Sequence, residues 1–130
     1  METKEKVYPS VPPTPGSEPF WEAARAGKLV IRRCQSCDKL HHYPRGICPH
    51  CFSDKLDWKS AKGTGTIYIY SVMRAAKPVY VIAYVTLDEG LSLMTNIVDC
   101  DPEKVRIGQK VKVVFKPAEG GGKLPCFTLA

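Results

Sequence analysis

Cys34-Gln-Ser-Cys37 and, ten residues further on, Cys48-Pro-His-Cys51 decide how the rest of the chain is read. Two residues between cysteines let both thiolates of one turn face a common point, about 2.3 Å from a shared ion. The second pair supplies the remaining corners of a tetrahedron. Cys34, Cys37, Cys48 and Cys51 are therefore expected to hold a structural zinc ion. Four sulfur ligands leave no position open for water, so such a metal holds structure and performs no chemistry. Two disulfides are the alternative, but they belong to oxidising compartments, and residues 1–17 contain no apolar run of signal-peptide kind. A redox use of the pairs lacks the βαβ pattern that accompanies it.

Around the cysteines, Leu29 to Arg33 is β-rich and enters the first turn. His41-His42-Tyr43 returns from it, Pro44 to Ile47 leads to the second turn, and Leu56-Asp57-Trp58-Lys59 leaves it. This predicts a rubredoxin-like zinc ribbon. Upstream, Glu18 to Ala26 predicts a short helix, with Ser17 or Glu18 as cap, Pro19 in the first turn and Gly27 behind it. Phe20, Trp21 and Ala24 form one apolar edge. So short a helix is unstable alone and must pack on its own chain or on another subunit; an exposed Phe-Trp pair would mark an interface. Met1 to Ser17 carries Pro9, Pro12, Pro13 and Pro15. It predicts an extended arm, disordered or lying along a partner.

From Gly63 the strands become longer. Thr66 to Met73 sets Ile67, Ile69 and Ser71 against Tyr68, Tyr70 and Val72. Val79 to Leu87 alternates in the same way, and Asp88-Glu89-Gly90 turns it into Leu91 to Val98. Asp101-Pro102-Glu103 predicts a capped helical turn. Lys110 to Lys116 points Val111, Val113 and Phe115 inward and Lys112 and Lys116 outward. A glycine loop, residues 119–123, precedes a last strand from Pro125 to Leu129. Five strands with the non-hairpin connection after the third match a small OB-fold barrel. The expected fold class is mainly β: an arm (1–17), a short helix with the zinc ribbon (18–62), and a five-stranded OB-fold barrel (63–130).

At 130 residues, 44% apolar and 25% charged, the chain is an ordinary globular one or two small domains. No stretch approaches the length of a membrane helix, and a cytoplasmic location is expected. The formal charge is +6; zinc with four thiolates carries net −2, which leaves about +4. That suits a phosphate-bearing cofactor, nucleic acid or an acidic surface. Arg32, Arg33, Lys39, Arg45, Lys55, Lys59 and Lys62 decorate the ribbon, and Arg74 and Lys77 lie in the first barrel loop, where OB-folds meet ligands. The sequence has no nucleophile elbow, no phosphate-binding glycine loop and no dinucleotide turn. His41, His42 and His50 all fall within the ribbon, where service as a zinc ligand would displace a cysteine. Cys100 and Cys126 read as buried small hydrophobes. No catalytic residue is assigned.

The Pro-Phe-Trp helix, the two cysteine pairs, Gly63-Thr-Gly-Thr-Ile-Tyr68, Val85-Thr-Leu-Asp-Glu-Gly90, Ile107-Gly108 and Val111-Lys-Val-Val-Phe115 occur in that order. Together they resemble the zinc-ribbon/OB-fold proteins called domain of unknown function 35, over residues 18–129. The resemblance implies a non-catalytic partner of acyl-CoA enzymes, either thiolase-like condensing enzymes or hydratases, whose OB-fold helps form a site for CoA. It carries no catalytic residue. Arg74 and Lys77 are expected, on charge alone, to meet CoA phosphates. In this reading the ribbon and helix dock the partner and the barrel faces the CoA tail. The rival reading is a nucleic-acid-binding ribbon/OB module, which needs aromatic stacking platforms on the barrel strands.

Overall fold

A computed structural model describes residues 8, 9 and 12–130. Among these residues the fold is mainly β, with one short helix, a ribbon sheet and a closed barrel. Helix α1 (Glu18–Arg25) begins on Pro19 in its first turn. Ser17 holds the N-cap position but gives its hydroxyl to Thr14 O at 2.8 Å, so it does not cap through its side chain. The backbone N–H groups of Gly27 and Lys28 close the other end on Ala24 O and Ala23 O.

The ribbon sheet has the order β2-β1-β3: β1 (Val30–Cys34), β2 (Leu40–His41) and β3 (Leu56–Ser60). The barrel follows as β4 (Thr64–Met73), β5 (Tyr80–Leu87), β6 (Ser92–Ile97), β7 (Lys110–Pro117) and β8 (Lys123–Leu129), closed in the order β4-β5-β6-β8-β7. The non-hairpin connection does fall after the third barrel strand. It runs through a 3-10 turn, Pro102–Lys104, where the Glu103 N–H donates to Asp101 Oδ1 at 3.0 Å. Val105, fully buried, fills the space this crossover spans.

One core runs through both parts. Phe20, Leu29 and Ile31 from the helix and ribbon join Ile67, Val81, Val85, Leu87, Val111 and Phe127 from the barrel. A ribbon of this size cannot bury enough surface alone, and sharing the barrel core is how it meets that shortfall.

Two expectations need correction, and two others gain detail. Ile67 and Ile69 do not share a face: Ile67 pairs with Val85 and Ile69 with Tyr84, leaving Tyr68 as a bulge residue. The bulge flips every later side chain of β4, so Ile69 and Met73 face out. Of the two places open to the helix's apolar edge, Phe20 takes the core of its own chain, while the half-buried Trp21 donates its indole N–H to Tyr43 Oη at 2.7 Å. The described part of the arm is tied at Tyr8 to its own barrel. Tyr8 bridges Ala118, donating its N–H to Pro117 O (3.0 Å) and accepting from the Glu119 N–H (2.8 Å); residues 1–7, 10 and 11 lie outside the described residues. Finally, Lys116 is not a solvated outward charge, because it folds onto Asp99 Oδ2 at 2.6 Å with a side chain only 14% exposed.

Candidate metal centre and barrel face

The two cysteine turns are near copies of each other. In each, the first cysteine's carbonyl accepts an N–H four residues on: Asp38 to Cys34 O at 2.8 Å, Phe52 to Cys48 O at 2.9 Å. In each, the first cysteine's own N–H returns to the residue five on: Lys39 O at 3.0 Å and Ser53 O at 2.8 Å. Asp38 and Phe52, which follow the second cysteines, both have positive φ, 60° and 64°. The left-handed turn swings both sulfurs of a pair to one side. Non-glycine residues rarely adopt it, so no glycine in the sequence signals it. A Ser36 Oγ···Ser53 Oγ bond of 2.8 Å ties the two turns together.

The four sulfurs lie within 4.8 Å of one another, with Cys34–Cys51 at 3.6 Å and Cys37–Cys48 at 3.7 Å. A tetrahedron with Zn–S bonds of about 2.3 Å has edges of about 3.8 Å, so the cage fits that ion. A disulfide needs sulfurs about 2.05 Å apart. The electrostatics point the same way. Backbone N–H groups, that of Cys37 foremost, pull the Cys34 thiol down to about 6. For Cys51 the Ser53 N–H lowers the pKa, but burial and the three neighbouring sulfurs together push it up to about 12. Four thiols this close cannot all ionise without a cation among them, and a dication removes that conflict. His50 stays outside the cage: its N–H donates to Cys48 Sγ at 3.4 Å while its ring meets Leu40 O.

Arg74 and Lys77 both lie in the exposed β4–β5 loop. Arg74, however, forms a two-armed ion pair with Glu103 from the crossover, which holds the Glu103 carboxyl below its usual range. An anion reaching Arg74 has to compete with Glu103. Cys126 is buried, and burial, then Asp101 and Asp99, pushes the half-buried Cys100 thiol up, away from the thiolate a nucleophile requires.

The sequence did not say which residues form the outer face of β4, β5 and β6. Ile69, Tyr84 and Met94 sit directly opposite one another across the three strands and all are exposed, by 50%, 47% and 58%. Met73 and Tyr80 extend the row. A groove of about 230 Å³ runs among Ile69, Ile82, Tyr84 and Met94. The signal was present as apolar residues on both strand faces, but the bulge at Tyr68 decides which of them point outward.

His42 lines a second cavity, of about 170 Å³, between α1 and the barrel, with Trp21, Thr95 and Phe127. Burial, and then His41, lowers its pKa to about 4. The unfolded chain, with an ordinary imidazole, then binds more protons between about pH 4 and 6.5. His42 thus contributes stability that is complete above pH 6.5 and lost as pH falls towards 4. The shift corresponds to about 3 kcal/mol. Urea unfolding of the wild type and of His42→Phe at several pH values checks this. The stability difference should move by about 3 kcal/mol across that window, since thiolate protonation acts on both proteins alike; a constant difference would refute it.

A closed four-sulfur ribbon sharing its core with a five-stranded barrel defines a zinc-ribbon/OB-fold protein. Residues 21–57 match the family model for the ChsH2 rubredoxin-like zinc ribbon domain, and residues 58–116 match that for the ChsH2 C-terminal OB-fold domain. The chain belongs to this family, the one also called domain of unknown function 35. It is 39% identical to a probable enoyl-CoA hydratase alpha subunit of Thermomonospora curvata, over 97% of this chain but only 41% of that protein. It is 38% identical to a DUF35 domain-containing scaffold protein of Methanocaldococcus jannaschii, over 72% of each. Among solved structures, an Ltp2-ChsH2(DUF35) aldolase chain superposes with a TM-score of 0.80 at 37% identity, covering 92% of this chain and 98% of that one. No helix among the described residues is long and apolar enough to cross a membrane.

Proposed function

We propose that this chain is a non-catalytic accessory subunit of an acyl-CoA enzyme, either a hydratase or a thiolase-like condensing enzyme, working in the cytoplasm. The observation that carries the reading is the uncharged apolar face of β4–β6. Cross-strand neighbours Ile69, Tyr84 and Met94 are exposed together, and a contiguous patch of this kind marks a contact surface. The names of relatives support the class of partner: a hydratase alpha subunit, scaffold proteins and an aldolase assembly. This face adds to the ribbon and helix expected on sequence, the helix spending Phe20 on its own core. Zinc held by Cys34, Cys37, Cys48 and Cys51 keeps the ribbon rigid. CoA, if shared with the partner, meets Lys77 and, by exchange with Glu103, Arg74.

The nucleic-acid reading needs cations beside its aromatic platforms. Tyr80 and Tyr84 are exposed on β5, but the outward positions of β5 and β6 (Ile82, Thr86, Ser92, Met94 and Asn96) include no cation.

Replacing Tyr84 and Met94 with glutamate tests the proposal. Both side chains point to solvent, so stability should change by less than about 0.5 kcal/mol. Binding to the co-purified acyl-CoA enzyme should weaken at least a hundredfold, because two apolar contacts become buried charges. A native chain that purifies without any acyl-CoA enzyme, or a double variant that still binds, would overturn it.

A further inference from the structure

Arg32 is the middle residue of a row across the ribbon sheet, opposite His41 on β2 and Trp58 on β3. Directly opposed residues share a face, and the guanidinium lies over the Trp58 ring, 4.3 Å from its centroid. Among the described residues, the Arg32 guanidinium has no hydrogen bond or ion pair, and its Nε is buried without a partner. An acid was at hand. Asp57 feels the Arg32 charge, yet both its oxygens go to the neighbouring Arg33, at 3.1 and 2.6 Å. One arginine of the adjacent pair is bonded to the carboxylate, and the other feels it only at a distance.

The cross-strand neighbour on β2 offers Arg32 no counter-charge either. His41 is 4% exposed, and burial first, then the charges of Arg32, Arg45 and His50, lower its pKa. No carboxylate bonds to any of these four groups among the described residues. A guanidinium stacked on tryptophan and half removed from water has already lost part of its hydration and rotamer freedom. Such a group is set to accept a planar, two-oxygen acid at little further cost.

We propose that Arg32, backed by Trp58, is the anchor of a protein–protein contact that receives a carboxylate side chain of a partner. Arginine and tryptophan are the residues that dominate such contacts. A nucleic-acid strand is a poorer fit, because its phosphates are tracked by several exposed cations in line, whereas this site offers one half-buried fork. The contact lies on the ribbon, apart from the apolar barrel face. It adds a directional polar point that fixes orientation, and it does not depend on the partner's being an acyl-CoA enzyme.

The test uses the zinc-loaded full chain and follows the Arg32 Nε–H resonance during titration with an acetylated tetraglutamate peptide. Inorganic phosphate and a ten-residue thymidine oligonucleotide serve as comparison ligands. The peptide should give a saturable shift and bind more tightly than either comparison ligand. Arg32→Lys keeps the charge but loses the fork; followed through the Trp58 indole resonance, it should bind the peptide about tenfold more weakly at unchanged zinc content. Lys59→Ala, which removes a charge from the opposite sheet face, should stay within twofold. Absence of saturation, equal weakening by both variants, or preference for phosphate or the oligonucleotide would overturn the proposal.

Discussion

Cys34→Ser should strip the chain of zinc, from one ion per molecule to less than a tenth, and unfold the ribbon while the barrel persists. Cys34 ends β1 and is fully buried, so its loss removes a ligand and opens the strand end together. Structural zinc supplies roughly 10–16 kcal/mol in small ribbons and fingers. The ribbon has little to set against that loss: β2 is two residues long, and β1 and β3 have five each. The barrel closes its own ladder without the ribbon. It loses only the Phe20, Leu29 and Ile31 part of the common core, so its melting temperature should fall without the fold being lost. Amide hydrogen exchange separates the two regions. Protection should vanish at Cys34, Asp38, Cys48 and Phe52 and survive along Val81–Leu87. Cys51→Ser should lose zinc as well but disturb less, because Cys51 is exposed and ends no strand. Full zinc retention in Cys34→Ser, or uniform collapse of barrel and ribbon, would contradict this division.

The cysteine spacing made the ribbon legible because the metal imposes it; the two turns repeat the same backbone bonds since each must aim two sulfurs at one point. The barrel was legible from strand count and the position of its one long connection. What the sequence hid were matters of orientation. The extra residue Tyr68 inverts the second half of β4, and an alternating pattern shows no such slip when both faces are apolar. Phe20 and Trp21 look alike as a pair, yet the helix buries one and leaves the other half exposed beside Tyr43. Arg74 reads as a free loop cation until the crossover brings Glu103 to it across 29 residues of sequence. Arg32 and Arg33 are adjacent and identical in type, and only the strand pairing assigns Asp57 to one and Trp58 to the other.

Gly65→Ala should destabilise the barrel by about 3 kcal/mol, and lower its melting temperature by roughly 10 °C. Gly65 lies in β4 where that strand pairs with Leu87 on one side and Val111 on the other. A Cβ there would stand 2.5 Å from Thr86 O, 2.9 Å from Val85 Cγ1 and 3.1 Å from Leu87 Cα. The valine methyl can rotate away. The carbonyl and the Cα belong to β5 and cannot move without disturbing the β4–β5 ladder, so the cost is one of space and not of backbone angle. Gly46 is the control: nothing lies within 4 Å of its added carbon and its φ is not positive, so Gly46→Ala should be neutral or slightly stabilising. Calorimetry of the two zinc-loaded variants reads the difference directly. Equal melting temperatures would mean that the two strands do not approach as closely as the pairing requires. Zinc content should be full in both, which separates this lesion from loss of the metal: the ribbon keeps its ion while the wall that carries Tyr84 and Ile82, strand β5, loosens beside it.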